Sequence, residues 1–424
     1  MRILHLIQRF HPARGGAELY LLEFASALVA QGHEVTVVTT DADDFAYFWD
    51  SKRARFNETN TTYRGITIQR FKINHLPWAK WTFPLLQRLL WIGSTIPFVP
   101  LLWLRHFGRL MPPLPDLWDW LADAKDEFDL VVGMTLPFDT MLLAGQWAAK
   151  KWGVPFVTHP LTHLGAGDAP GADKVSRFYT LRHQIDLVCQ SDLVICQTPT
   201  ERNYYINQHL PIKRLEIVGP GVHPKSVTGG DGTLFRETHN LRFPIVLSVG
   251  SLTREKGVFD TIAAIISLWD AGVKVDLVLI GTVSDEFQRY WNQLDEDVQH
   301  RICLLPSASD DVKRDAYAAA QIFAMPSKID SVGMVYFEAW LNRLPVIAAQ
   351  TWGVMDIVTD GVDGYLVPFG DAEAIAAKVK WLLQAGKLAA SLGETGHQRV
   401  REVHIWSHKC QMLETIYRDV VANA

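Results

Sequence analysis

Twice along this chain, short apolar runs alternate with stretches patterned for helices, and that alternation narrows the fold more than any other feature. The first series opens with "RILHLI", a glycine-bearing loop "HPARGGAE", the helically spaced "AELYLLEFASALVAQG" and the run "HEVTVVTT". Strand, turn, helix and strand in that order make a βαβ unit. "LVVGM", "PFVTH" and "LVICQ" follow, with helical patterns such as "DTMLLAGQWAAKKWG" between them. Near-continuous apolar runs separated by helices predict a doubly wound parallel sheet. A second series begins after "IVGPGVHPKSVTGGDGT", which holds two prolines and five glycines in 17 residues. It runs through "PIVLSVGSL", "VDLVLIG", "RICLLP", "IFAMPS", "LPVIAAQ" and "GYLVPF". At 424 residues the chain also exceeds what one core usually serves. The expectation is two α/β domains, 1–222 and 223–404, with the amphipathic segment 405–424 packing back on the first.

Charge and cysteine usage exclude several classes. A formal charge of −5 and a pI near 6.3 give no basic surplus for a nucleic-acid partner. Cys189, Cys196, Cys303 and Cys410 are scattered without metal-ligand spacing, which points to free thiols in a reducing compartment. Gln8 and Arg9 interrupt the first apolar run, so no secretory leader is expected and a cytoplasmic location follows. An insertion over about 77–115 stands apart. Its core, Leu89 to Leu104, has 16 uncharged residues, short of the roughly 20 a spanning helix needs, and Pro97 and Pro100 break it. Trp78, Trp81, Trp91 and Trp103 with Lys80, Arg88, Arg105 and Arg109 suit a peripheral seat on a membrane surface or a lipid-acceptor site. Packing against its own domain or in a cleft is the plainer alternative.

In open α/β sheets ligands bind beyond the carboxyl ends of the strands. After the first strand, Gly15 and Gly16 open a helix start to close approach, although a Gly-Gly pair is also an ordinary tight turn. The spacing is not the dinucleotide fingerprint and no Walker A sequence occurs, which argues against NAD enzymes and P-loop NTPases. In "GSLTREKGVFD", Arg254 and Lys256 lead into a helix and could face a diphosphate, or simply solvent. In "PSKIDSVGMVYFEAW", Asp330 and Glu338 bracket seven uncharged residues that pass from turn to helix. The amides of Ser331 to Met334 lie between the two acids at the positive end of a helix dipole. A phosphate there, flanked by hydroxyl groups on two carboxylates, describes a nucleotide sugar.

These motifs together resemble the retaining glycosyltransferases of family 4. The resemblance covers nearly the whole chain: "GGAE" with "GHEVTVVTT", "IVGPGV", "VGSLTREKGV", "LVLIG", and "PSKIDSVGMVYFEAWLNRLPVIAAQTWGVMDIVTDGVDGYLV". It implies the GT-B fold, two facing Rossmann-like domains with a cleft between them. It also implies a nucleotide-diphosphate sugar as donor, a saccharide or lipid-linked acceptor, and no metal or other cofactor. Asp330 would contact the donor sugar and Glu338 the ribose. Amides around Gly333 and Met334 would hold the distal phosphate, Lys256 would neutralise the leaving diphosphate, and Gly15 and Gly16 would face it. Three positions depart from the family pattern. Asp330 stands where glutamate is usual, Ser251 where arginine is usual, and "DSVG" replaces a turn with one more glycine; Arg254 is the candidate substitute for the missing arginine.

For the acceptor side, His159 at the end of "PFVTH" is the preferred catalytic candidate, with His163 and Asp139 as weaker ones. Polysaccharide or glycolipid synthesis, at the inner face of a plasma membrane if the insertion seats there, is the expected setting. The rival readings are another GT-B enzyme, such as a nucleotide-sugar epimerase or a phosphorylase, and a non-catalytic nucleotide-sugar-binding scaffold.

Overall fold

The structure is a computed structural model that describes every residue except Arg14, Lys125, Asp126, Asp168, Ser331 and Ala424. Its chain divides into two compact units. Met1–Thr162, Gly171–Gly219 and Lys409–Ala424 form the first; His163–Pro170 and Pro220–His408 form the second. The main break thus falls at Gly219 rather than at 222, and the segment 163–170, expected in the first domain, belongs with the second.

The first unit is built on β1 (Arg2–Leu6), β2 (Glu34–Thr40), β3 (Asn60–Tyr63), β4 (Ile66–Phe71), β5 (Leu130–Met134), β6 (Phe156–His159), β7 (Leu193–Cys196) and β8 (Leu215–Ile217). They form one sheet in the order β3-β4-β2-β1-β5-β6-β7-β8. Every residue of β5, β6 and β7 is buried, which is why these strands read as unbroken apolar runs. Among the described strands of this sheet only β3 runs antiparallel, paired to β4 across Arg64-Gly65. Both turn residues have positive φ, the signature of a type I′ hairpin, and β4 mixes buried with exposed residues, so the pair carries no continuous apolar run.

The last helix, Trp406–Ala422, joins the first unit from Lys409 onward. The contacts that hold it there include three close ones. The Tyr417 hydroxyl lies 2.7 Å from His159 Nε2, Glu414 meets His33 at 3.2 Å, and the Cys410 thiol faces the Glu23 carbonyl.

Within the insertion, Ala79–Thr95 and Leu101–Gly108 are helices, and Pro97 and Pro100 fall in the turn between them. Arg182 fixes that turn. Its guanidinium donates to the carbonyls of Gly93, Ser94, Ile96, Pro97 and Val99, the shortest at 2.6 Å. Phe83, Leu90, Leu104 and Gly108 face inward. Among the described residues no helix is long and apolar enough to cross a membrane.

The second unit carries β9 (Ile245–Val249), β10 (Asp276–Ile280), β11 (Ile302–Leu305), β12 (Ile322–Met325), β13 (Val346–Ala349) and β14 (Gly364–Val367), all parallel, in the order β11-β10-β9-β12-β13-β14. Alternate residues feed two cores. Val246, Leu277 and Ile347 pack with Ile262 and Ile265 of the Val258–Asp270 helix. Leu247, Val278 and Ala348 pack with Phe337 and Trp340 of the Met334–Leu341 helix. A sheet covered on both faces exposes its strand ends, and there the site forms.

Candidate functional site

Backbone contact between strand exits creates the site. At the ends of β9 and β10, Gly250 and Gly281 have φ of +152° and +151°, and a Cβ on Gly281 would overlap the Gly250 carbonyl. Pairing then continues past the strands, with Leu252 N–H donating to Thr282 O at 2.8 Å. The next turn, Arg254–Lys256, is capped by Thr253, whose hydroxyl accepts from Lys256 N–H. Gly257, at φ +74°, is pressed on the Pro326 carbonyl, and Lys328 N–H donates to Glu255 O at 2.7 Å. In this way "TREKG" is laced to "PSKID".

The consequence is an ion pair: Lys256 Nζ lies 2.6 Å from Asp330 Oδ1. The two side chains are 21% and 16% exposed, so water screens the pair only weakly. Burial works against the Asp330 carboxylate, yet the Lys256 charge and hydrogen bond outweigh it and hold the carboxyl below its ordinary value. The Ser327 hydroxyl adds a weaker pull in the same direction, and Asp330 Oδ2 is buried with no close hydrogen-bond partner among the described residues. His163, carried by the segment that joins the second unit, faces the same pair. Burial lowers its pKa to about 4; the Asp330 charge opposes that shift and the Lys256 charge adds to it. The ring is therefore neutral at pH 7. That segment is tied down by Trp352, whose N–H donates to Gly165 O and whose Nε1 donates to Gly167 O at 2.9 Å.

Gly333 begins the Met334–Leu341 helix in the left-handed region, φ +74°, where a side chain would run into the Tyr336 ring. The first-turn amides, Met334 included, point away from the helix toward its positive end. Glu338 lies one turn on. Its Oε2 accepts from the Tyr317 hydroxyl at 2.9 Å and lies 3.5 Å from Lys313 Nζ. Tyr317 and Lys313 were not anticipated. Their spacing of four on the Asp310–Ala319 helix puts them on one face, but "DVKRDAYAAA" reads as an ordinary solvated helix.

Lys256, Asp330 and His163 are thus brought together. Arg254 is not among them: its Nε meets Glu286 at 3.2 Å and its guanidinium lies over Phe259. Ser251 contacts Thr282 through its hydroxyl. Ser331 lies outside the described residues. In the first unit, Gly15 and Gly16 start the Gly16–Ala30 helix, and a Cβ on Gly15 would strike the Glu18 carboxylate, itself paired to Arg9 at 2.6 Å.

His159 has a different environment from the one expected. It is 1% exposed, with Tyr20 Oη 3.1 Å from Nδ1 and Tyr417 Oη 2.7 Å from Nε2. Tyr20 O–H is committed to the Val218 carbonyl, so Nδ1–H donates to Tyr20 and Nε2 accepts from Tyr417. Burial, then neighbouring His5, keep the ring neutral. With both nitrogens used inside the unit, His159 joins the last helix to the sheet and has no group left for an acceptor. Asp139 is similar: its two oxygens meet His183 Nε2 and Gln184 Nε2, each at 2.7 Å.

Comparison with known proteins decides the family. Residues 15–221 match the glycosyl transferase 4-like domain and residues 233–399 match the glycosyl transferases group 1 domain. The chain belongs to the group 1 glycosyltransferases. Relatives of this family include the alpha-maltose-1-phosphate synthase of Mycolicibacterium smegmatis, 28% identical over 66% of this chain and 77% of that protein. The capsular polysaccharide biosynthesis glycosyltransferase CapM of Staphylococcus aureus is 23% identical over 56% of this chain. The match spans 65% of CapM and 65% of the D-inositol 3-phosphate glycosyltransferase of Acidothermus cellulolyticus, just under two thirds of each. The GT-B fold is shared with sucrose-phosphate synthase from Thermosynechococcus elongatus, at TM-score 0.74, 19% identity and full coverage of both chains. Anabaena HepE in complex with UDP-glucose superposes at TM-score 0.69 with 18% identity, over 99% of this chain and all of that one.

Proposed function

We propose that the protein is a retaining, metal-independent glycosyltransferase that moves a sugar from a nucleotide-diphosphate sugar to a saccharide or lipid-linked acceptor. The observation that carries this reading is the Lys256–Asp330 pair, beside a helix start whose Glu338 is already oriented by Tyr317; Asp330 Oδ2 has no close partner among the described residues. Before a donor arrives, Asp330 stores the lysine. On binding, the diphosphate competes for Lys256 and for the first-turn amides at Met334, and Asp330 turns to accept from a sugar hydroxyl. Glu338, held by Tyr317 and Lys313, accepts from the ribose.

The bond between the anomeric carbon and the diphosphate oxygen then breaks, its electron pair leaving with the diphosphate. Lys256 and the amides stabilise that negative charge as it develops, which lowers the barrier because they are positioned beforehand. The acceptor oxygen forms the new bond on the same face, and its proton passes to the leaving phosphate. Neutral His163, beside Asp330, contacts the donor sugar or its phosphate. Titration of nucleoside diphosphates into wild type, Lys256→Ala and Glu338→Gln tests the site. Both variants should bind at least about tenfold more weakly; unchanged affinity in either removes that residue from the donor site.

The acceptor side rests on the insertion. Trp78, Trp81 and Phe98 are 84%, 80% and 87% exposed. Leu85, Leu89, Ile92, Leu102, Trp103 and Phe107 are also exposed, whereas Phe83, Leu90 and Leu104 on the same helices are buried. With Lys80 and Arg88 on the same helix, this is an amphipathic surface for an anionic bilayer. Flotation with anionic but not neutral vesicles, lost in Trp81→Glu/Phe98→Glu, is the expected result; equal partitioning of both proteins contradicts it.

A further inference from the structure

The first unit holds a groove of about 800 Å³ that none of the donor chemistry uses. Its walls are Leu102, Trp103 and Phe107 on the Leu101–Gly108 helix and Leu143 and Trp147 on the Thr140–Trp152 helix. Its volume lies within the roughly 300–1,000 Å³ of sites that take drug-sized molecules. Leu102, Trp103 and Phe107 also belong to the exposed apolar surface of the insertion, so groove and surface are continuous.

Among the described residues, every charged side chain on the groove is basic: Arg105, Arg109 and Lys150 line it, with His106 beside them, and no carboxylate does. Arg109 is laid over the Trp118 ring at 4.3 Å, which orients its guanidinium. Arg105 gives Nη2 to Asp186 at 2.5 Å, and its buried Nε has no hydrogen-bond partner among the described residues. An apolar trough with an aromatic wall and a cationic rim has two requirements at once, hydrocarbon and anion.

We propose that this groove binds the phosphate-proximal part of an isoprenyl phosphate or diphosphate, with the hydrocarbon between Trp103 and Trp147 and the phosphate on Arg105, Arg109 and Lys150. A lipid is favoured over a folded partner because the groove opens onto the surface that would meet the bilayer, where such a molecule is anchored. The inference deepens the acceptor reading and rests on it: the lipid carries the saccharide that receives the sugar. Arg182 and the Arg105–Asp186 pair keep the helical hairpin in place, so the groove is formed before the lipid enters.

The test is equilibrium binding of farnesyl phosphate, below its micellar concentration, to the full chain without vesicles. Farnesol and inorganic phosphate serve as controls. One saturable site is expected, with each control at least about tenfold weaker. Each lost cation near a phosphate is worth about fivefold, so Arg109→Gln/Lys150→Gln should weaken binding by about tenfold or more. Lys150→Gln alone, at an exposed position, should weaken it severalfold without affecting the fold. Trp81→Glu/Phe98→Glu should abolish vesicle flotation and leave farnesyl phosphate binding unchanged. Equal binding of farnesol, or wild-type affinity in the double variant, overturns the proposal. Flotation without farnesyl phosphate binding also overturns it while leaving the membrane-surface reading intact. A dimer lost in the double variant would reassign the groove to a second copy of the chain.

Discussion

Asp330 and Lys256, far apart in sequence, meet at 2.6 Å because a glycine and the backbone hydrogen bond from Lys328 N–H to Glu255 O lace their loops together. Removing either partner strands the other. Asp330→Asn and Lys256→Ala should each lower kcat by about 100-fold or more, the range seen when one preorganised group that stabilises transition-state charge is lost. Lys256→Ala should also cost about 1–3 kcal/mol of stability, because it leaves a largely buried carboxylate unpaired. Urea unfolding beside initial-rate kinetics separates the two effects.

The pair also sets an acid limit. Its carboxyl titrates below the ordinary 3.8, so the stability it contributes is fully present above that value and is lost as the pH falls through the folded value. Unfolding free energies of wild type and Asp330→Asn should differ by a constant amount from pH 7 to pH 5 and converge only below about 4. Convergence already at pH 6 would mean the pair is not formed in solution.

His5 has the opposite sign. Burial alone lowers its pKa to about 3, and neither ring nitrogen has a hydrogen-bond partner among the described residues. Below the unfolded value of 6.5 the unfolded chain binds a proton that the native one refuses, so stability declines from pH 6.5 toward 3. His5→Leu should flatten that decline and add about 1 kcal/mol at pH 7 by removing two unsatisfied polar atoms. Chemical denaturation at several pH values reads both.

Gly333 is a backbone requirement. Gly333→Ala places a methyl group against Tyr336 at φ +74°, and should cost about 1–3 kcal/mol. The displaced helix start should raise the donor KM more than it lowers the melting temperature would explain. Tyr317→Phe makes the complementary case, loosening Glu338 by one hydrogen bond; a severalfold rise in donor KM with kcat nearly unchanged is expected.

Much of this molecule was legible in advance, for a physical reason. Strands covered on both faces, such as "LVVGM" and "IFAMPS", announce themselves as apolar runs, and the glycine turns between strand and helix mark where a ligand can approach. The β3–β4 hairpin was not legible because a half-buried edge pair alternates with polar residues. His159 looked functional because strand ends carry sites, but position on a strand does not show which partners surround a side chain, and here two tyrosines take both nitrogens. Lys313 and Tyr317 were hidden for a related reason. Their role comes from the side of a helix that meets Glu338, a tertiary fact that a polar helical pattern does not carry.

The central claim is that Lys256 and Asp330 form the charge-stabilising core of a sugar-donor site. It is tested most directly by nucleotide release from UDP-, GDP-, ADP- and dTDP-sugars in the presence of a chelator, with wild type, Lys256→Ala and Asp330→Ala measured side by side. The account predicts slow release from one donor by wild type and at least about 100-fold less from either variant. Release that persists in both variants, or that requires a divalent ion, would contradict it.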